Sequence, residues 1–182
     1  DVDEVLDTVR RLVEELLKKV ERTSRESVRL AEKLLDEVRE SSKRSKDESR
    51  RLLEEVREID DSRKVARVVE ESRRLMKEDL ETVTEVVKRN EDSAREDEER
   101  VKRVAEEIRK IVADVFRRVK DKKREKVDKV RRDVERLVEE VEKTVKRSVE
   151  ENRRIAEEIK RTVEESVKTN EEVVKRIEET AR

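Results

Sequence analysis

Valine recurs every eighteen residues at Val2, Val20, Val38 and Val56, and the same spacing carries Leu16, Leu34 and Leu52 with their neighbours Leu17, Leu35 and Leu53. A second series runs Val65, Val83, Val101 and Val119, accompanied by Val68, Val86 and Val104. A third runs Val127, Val145, Val163 and Ala181, accompanied by Val141, Ile159 and Ile177 and by Thr144, Thr162 and Thr180. Eighteen residues make five turns at 3.6 residues per turn. The pattern therefore predicts straight helices that keep one apolar face inward without the left-handed supercoil a heptad would impose. At about 100° per residue, the apolar positions from Val2 to Leu17 cover an arc of roughly 140°, which suits a helix touching two neighbours.

The phase holds within each series and jumps between them: Val56 to Val65 is nine residues, and Val119 to Val127 is eight. These jumps predict the loops. One lies near Ile59-Asp60-Asp61-Ser62, where Asp61 or Ser62 can cap the next helix by accepting from its free amides. The other lies near Lys120-Asp121-Lys122, with Asp121 as the cap. The stretches Ser41 to Ser45 and Asn90 to Ser93 also look like loops and would suit four shorter helices. The repeat passes through both undisturbed, however, and nothing comparable breaks the chain near Arg132 to Arg136. The expected fold is all-α: one domain, 1–182, forming an elongated antiparallel three-helix bundle with straight helices over about 2–59, 62–119 and 122–181. Each helix would be roughly 87 Å long at 1.5 Å per residue, and short loops make neighbours antiparallel.

The inward face turns polar in the middle of each helix. Val5 gives way to Thr23 and Ser41, Leu6 to Ser24 and Ser42, Val9 to Ser27 and Ser45, and Val13 to Ala31 and Ser49. In the second helix Ser72 and Asn90 stand where Ile108 does, and Asp79 and Asp97 where Val115 does. In the third, Val130 becomes Ser148 and Ser166, and Val134 becomes Asn152 and Asn170. Folding at the two loops gathers a group of Thr23, Ser24, Ser27, Asn90, Asp97, Ser148 and Asn152. A second group contains Ser41, Ser45, Ser49, Ser72, Asp79, Ser166 and Asn170. A buried hydrogen-bond network is the favoured reading, because hydroxyls and amides from three helices converge at matching heights and a buried aspartate needs such donors. A solvated middle is the second reading. A binding or catalytic pocket is the third, weakened because acid–base work wants a positioned pair of tuned acidities, whereas these aspartates stand alone among Ser and Asn.

On the repeat, the valine-rich core and the Glu/Lys/Arg surface, the chain resembles de novo, parametrically designed antiparallel three-helix bundles with untwisted eighteen-residue geometry. The resemblance covers the whole chain and rests on no functional motif. It implies a structural scaffold without natural activity, with neither catalytic residues nor cofactor. The chain departs from the class in having no Gly or Pro in its loops, where such turns normally use them, and in its polar core.

Composition narrows the function further. None of the 182 residues is Gly, Pro, Cys, His, Trp or Tyr. At ordinary usage a chain of this length lacking both Gly and Pro arises by chance on the order of once in ten billion. Charged residues make up 57% and apolar ones 31%, a balance near the disordered boundary, so order must come from patterning. The 51 basic and 52 acidic residues nearly cancel, leaving no global field to recruit nucleic acid or an anionic membrane. No apolar run reaches the roughly 18 residues of a membrane span, and Asp1-Val2-Asp3 opens neither a signal nor a transit peptide. The expected protein is soluble, cytoplasmic when produced recombinantly, and has no natural compartment.

Without His or Cys there are no nitrogen or sulfur metal ligands, no imidazole-based triad, and no disulfide framework. Without Gly there is no phosphate-cradling loop. The basic segment Arg117 to Arg124 lacks aromatic residues for stacking on bases and is better read as cations complementing a helix C-terminus. The acidic run Glu96 to Glu99 has no turn glycine or oxygen-rich loop for calcium and reads as a solvated face. The expectation is a monomer, not an enzyme, with no small-molecule substrate, nucleic-acid or membrane partner. Self-association through helix faces is the rival, in which the chain is an interaction module.

Overall fold

The computed structural model describes residues 2–58 and 61–181. It is an all-α three-helix bundle: α1 spans Val2–Val56, α2 Ser62–Arg118 and α3 Arg124–Ala181, with a single 3-10 turn at Asp121–Lys123. The eighteen-residue phase thus runs unbroken through Ser41 to Ser45 and Asn90 to Ser93, both helical throughout. Four shorter helices are excluded. Without a glycine or proline in the chain, no residue interrupts the ladder of backbone hydrogen bonds.

The helices stop slightly short of the predicted bounds. The first ends at Val56, before a turn at Arg57 and Glu58; Ile59 and Asp60, assigned to the loop, lie outside the described residues. Asp61 caps α2 as expected, its Oδ1 accepting from the Arg63 amide at 3.0 Å while its carbonyl accepts from the Val65 amide at 3.3 Å. Asp121 does not act as the expected cap. The Lys123 amide instead bonds to the Lys120 carbonyl at 2.9 Å and the Arg124 amide to the Asp121 carbonyl, while the Asp121 carboxylate sits 3.3 Å from Arg124 Nη1. The tight turn satisfies these amides with backbone carbonyls, leaving the side chain to pair with a cation. No described residue has a positive φ, so the turn between α2 and α3 needs no glycine.

The chain forms two compact units, to both of which each helix contributes. The first comprises residues 1–30 and 91–152, the second residues 31–90 and 153–182. In the first unit Leu6 and Val13 of α1 pack with Ala105 and Val112 of α2, with Val119 just beyond its end, and with Val127, Val130, Val134 and Val138 of α3. A further cluster joins Val20, Val141 and Val145, with Leu16, Leu17, Val101 and Val149 against it. Residue numbers thus rise together in α1 and α3 and fall in α2, so α2 is antiparallel to both. In the second unit Val56, Val65, Val69, Val173, Val174 and Ile177 form the core, with Leu52, Leu53 and Met76 packed on it. Each buried valine or leucine contributes roughly 1.5–3 kcal/mol relative to exposure. Valine also loses little freedom here, because helical backbone already confines it to one rotamer. The repeated Thr144, Thr162 and Thr180 are satisfied locally, each hydroxyl donating to the carbonyl four residues earlier at 2.8–2.9 Å.

Ion pairs stitch α3 to its neighbours. In the first unit Arg10 lies 3.8 Å from Asp133, Lys126 3.5 Å from Asp3, and Arg109 3.0 Å from Glu135 and 2.6 Å from Glu142. Burial opposes the Arg109 charge, but the hydrogen bonds and charges of Glu135 and Glu142 outweigh it and raise its pKa. In the second unit Arg39 pairs with Glu158 at 3.4 Å and Arg73 with Glu178 at 2.8 Å.

Candidate functional site

Two asparagines of α3, eighteen residues apart, anchor the polar middle. Asn152 is 1% exposed and Asn170 2%. A buried carboxamide brings two donor hydrogens and two lone pairs, each costly if left unmet. In the first unit Asn152 Nδ2 donates to Ser27 Oγ at 3.0 Å and to the carbonyl of Ser148, one turn back, at 3.0 Å. In the second unit Asn170 Nδ2 donates to Ser45 Oγ at 2.7 Å, and its Oδ1 accepts from Ser49 Oγ at 2.8 Å. Ser27 and Ser45 are themselves one repeat apart, so each unit holds the same α3-to-α1 bond. Ser49 adds a second bond in its unit because Ala31, its repeat equivalent, has no hydroxyl.

A cavity opens in each unit beside these layers, and Asn170 lines that of its own unit. That of the first unit, about 190 Å³, is lined by Thr23, Ser24, Ser27, Asp97 and Ser148 among others. That of the second, about 240 Å³, is lined by Ser41, Ser45, Asp79, Ser166 and Asn170 among others. The two expected groups are thus partly brought together. Ser49 bonds to Asn170 without lining the cavity, while Ser72 and Asn90 are half-buried and lie outside both linings. Asn90 is assigned to the second unit.

Four of the expected inward residues are exposed: Thr23, Ser41, Asp79 and Asp97. Thr23 donates to the Lys19 carbonyl on its own helix at 2.8 Å. Asp97 keeps half its side-chain surface in water and lies 4.0 Å from Arg100. An ionised carboxylate pays several kcal/mol for dehydration that a few hydroxyls do not return, so both aspartates stand at cavity walls open to water. The buried aspartate expected from the match to Val115 is absent, and the bonds described here join α1 and α3. The repeat also holds a signal that the choice of polar residues passed over: Glu37 and Met76 line the second cavity at positions equivalent to Lys19 and Ala94 of the first.

Ser45 and Ser49 are both bonded to the Asn170 carboxamide, which is not a base. Among the described residues no group of three His, Cys, Asp or Glu side chains is placed to hold a metal ion, and no helix is long and apolar enough to cross a membrane.

A separate feature is the apolar residues left in water. On α2, Leu75, Val86, Val104 and Ile111 are exposed and fall within about 20° of one another around the helix axis. On α1, Val5, Leu12 and Leu30 do the same.

No family model matches the chain, and no curated protein matches it. Among solved structures, one described as "Computationally designed three helix bundle" is similar at 16% identity, with a TM-score of 0.46 over 99% of this chain and 88% of that one.

Proposed function

We propose that the chain is a designed structural scaffold without natural biochemical activity, whose repeated polar layers set the register of its helices. The observation that carries this reading is the paired bond: Asn152 to Ser27 and Asn170 to Ser45, each an α3 amide donating to an α1 hydroxyl 125 residues earlier. Two identical solutions one repeat apart, in a chain without glycine, proline, histidine or cysteine, favour parametric design over accumulated history. On this reading residues 1–182 act as one domain, since each helix enters both units. Circular dichroism in buffer should show full helicity persisting above ~90 °C, as idealised bundles do, and light scattering should give the 21.8 kDa monomer. A chain that is random coil in buffer, or that melts near ~60 °C, would defeat the proposal.

The exposed stripes favour a second reading, a helical interaction module. Val5, Leu12 and Leu30 with Val104 and Ile111 leave apolar surface on two helices of the first unit, and surface of that kind marks association sites when contiguous. A dimer or larger species in the same scattering measurement, lost on replacing Leu12 and Ile111 with glutamate, would select this reading.

A further inference from the structure

The two cavities are equivalent in repeat position but differ in charge. In the second unit the carboxylates of Glu37 and Asp79 reach the cavity wall, and no Lys or Arg lines it. Neither carboxylate is ion-paired with a described residue. In the first unit the position of Glu37 is taken by Lys19, and Asp97 is accompanied by Arg100. One cavity therefore carries two unneutralised negative charges, and its counterpart carries more positive charge than negative.

Ser166 adds an independent observation. It is only 8% exposed, lines the second cavity, and its hydroxyl has no hydrogen-bond partner among the described residues. Its hydroxyl is therefore open to the cavity, where a ligand group can take the place of water as its partner. Beside the hydroxyls and the Asn170 carboxamide, part of the wall is apolar, from Leu34, Met76, Leu80 and Val83. At about 240 Å³ the cavity exceeds the ~150 Å³ known to admit a benzene-sized guest.

We infer that this cavity binds a short-chain alkylammonium ion, its tail against the apolar wall and its ammonium between the carboxylates and the Ser166 hydroxyl. An ammonium group offers three donors and no acceptor, which matches two carboxylates and a hydroxyl oxygen. A neutral alcohol of the same length gains only the apolar part, and a carboxylate is repelled.

Nuclear magnetic resonance titration of the full chain with n-hexylammonium chloride, hexan-1-ol and sodium hexanoate tests this. Hexylammonium should shift amides around Ser41 and Ser166 with about fivefold tighter binding than hexanol, hexanoate should not shift them, and added salt should narrow the difference. Glu37→Lys should abolish the preference, Ser166→Ala should weaken the amine about threefold, and Lys19→Glu should confer the preference on the first cavity. Both charge changes lie on exposed helix positions, and circular dichroism checks that helicity is kept. If Glu37→Lys misfolds, the comparison of the three probes on the unaltered chain still decides. Equal binding of amine and alcohol, equal response of both cavities, or no shift at millimolar amine overturns the inference.

Discussion

The two units solve one problem at one register with different margins. Asn152 in the first holds Ser27 and a carbonyl of its own helix. Asn170 in the second holds Ser45 and Ser49, both on α1. In the first unit α2 buries Ala94, Ala105 and Val112; in the second it buries Val65 and Val69, and no residue from 70 to 90 is buried. Polar bonds between α1 and α3 are therefore densest where α2 gives least apolar cover. A hydrogen bond asks for fixed geometry but little area, so it can specify register where packing is thin.

The largest effect should come from removing the asparagines. Asn170→Ala strands the buried Ser49 and the half-buried Ser45, at about 1–3 kcal/mol for each stranded group. Asn152→Ala strands Ser27 on α1, one hydroxyl where Asn170→Ala strands two, and the smaller shift is expected. Guanidinium titration compares them, and equal midpoint shifts would remove the distinction between the units. Next, Ser49→Ala gives the second layer the pattern of the first. It should cost about 1 kcal/mol, the net value of one hydrogen bond, and a gain in stability would mean that the alanine packs better than the bond holds. Smaller again is Arg109→Ala, which releases two carboxylates in the first unit where Arg73→Ala releases one in the second. The Arg73 pair is about half in water and the Arg109 pairs are partly buried, so the losses should stay near or below about 1 kcal/mol, with Arg109 the greater; thermal melts in low and high salt resolve the order. Smallest is Asp97→Val. With its carboxylate half in water, the change should stay within about 0.5 kcal/mol, and a substantial destabilisation would mean that Asp97 is held by a network after all.

The fold was legible because one signal, the eighteen-residue phase, fixes helix direction and loop position together. Asp61 could be read as a cap from its place before an apolar-periodic run. Asp121 misled for an instructive reason: a capping residue is recognised by type, but a 3-10 turn can satisfy the same amides with carbonyls that every residue carries. The polar groups were harder. Angular position identified Asn152, Asn170, Ser27 and Ser45, which all lie on the inward arc. It could not say that Thr23 and Asp97, some way off the centre of that arc, would face water, because exposure at the flank depends on how closely α2 approaches. That approach is set by volumes such as Ala94 against Met76 and not by periodicity.

The turn between Arg118 and Arg124 reverses the chain with no residue in the left-handed region. A turn that depends on such a residue rejects nearly every side chain with a Cβ, and its sequence is effectively frozen. Here Lys120 to Lys123 are all exposed and adopt backbone angles open to ordinary residues. This stretch is accordingly a permissive one, where a protease recognition sequence or an inserted epitope would add length without adding strain.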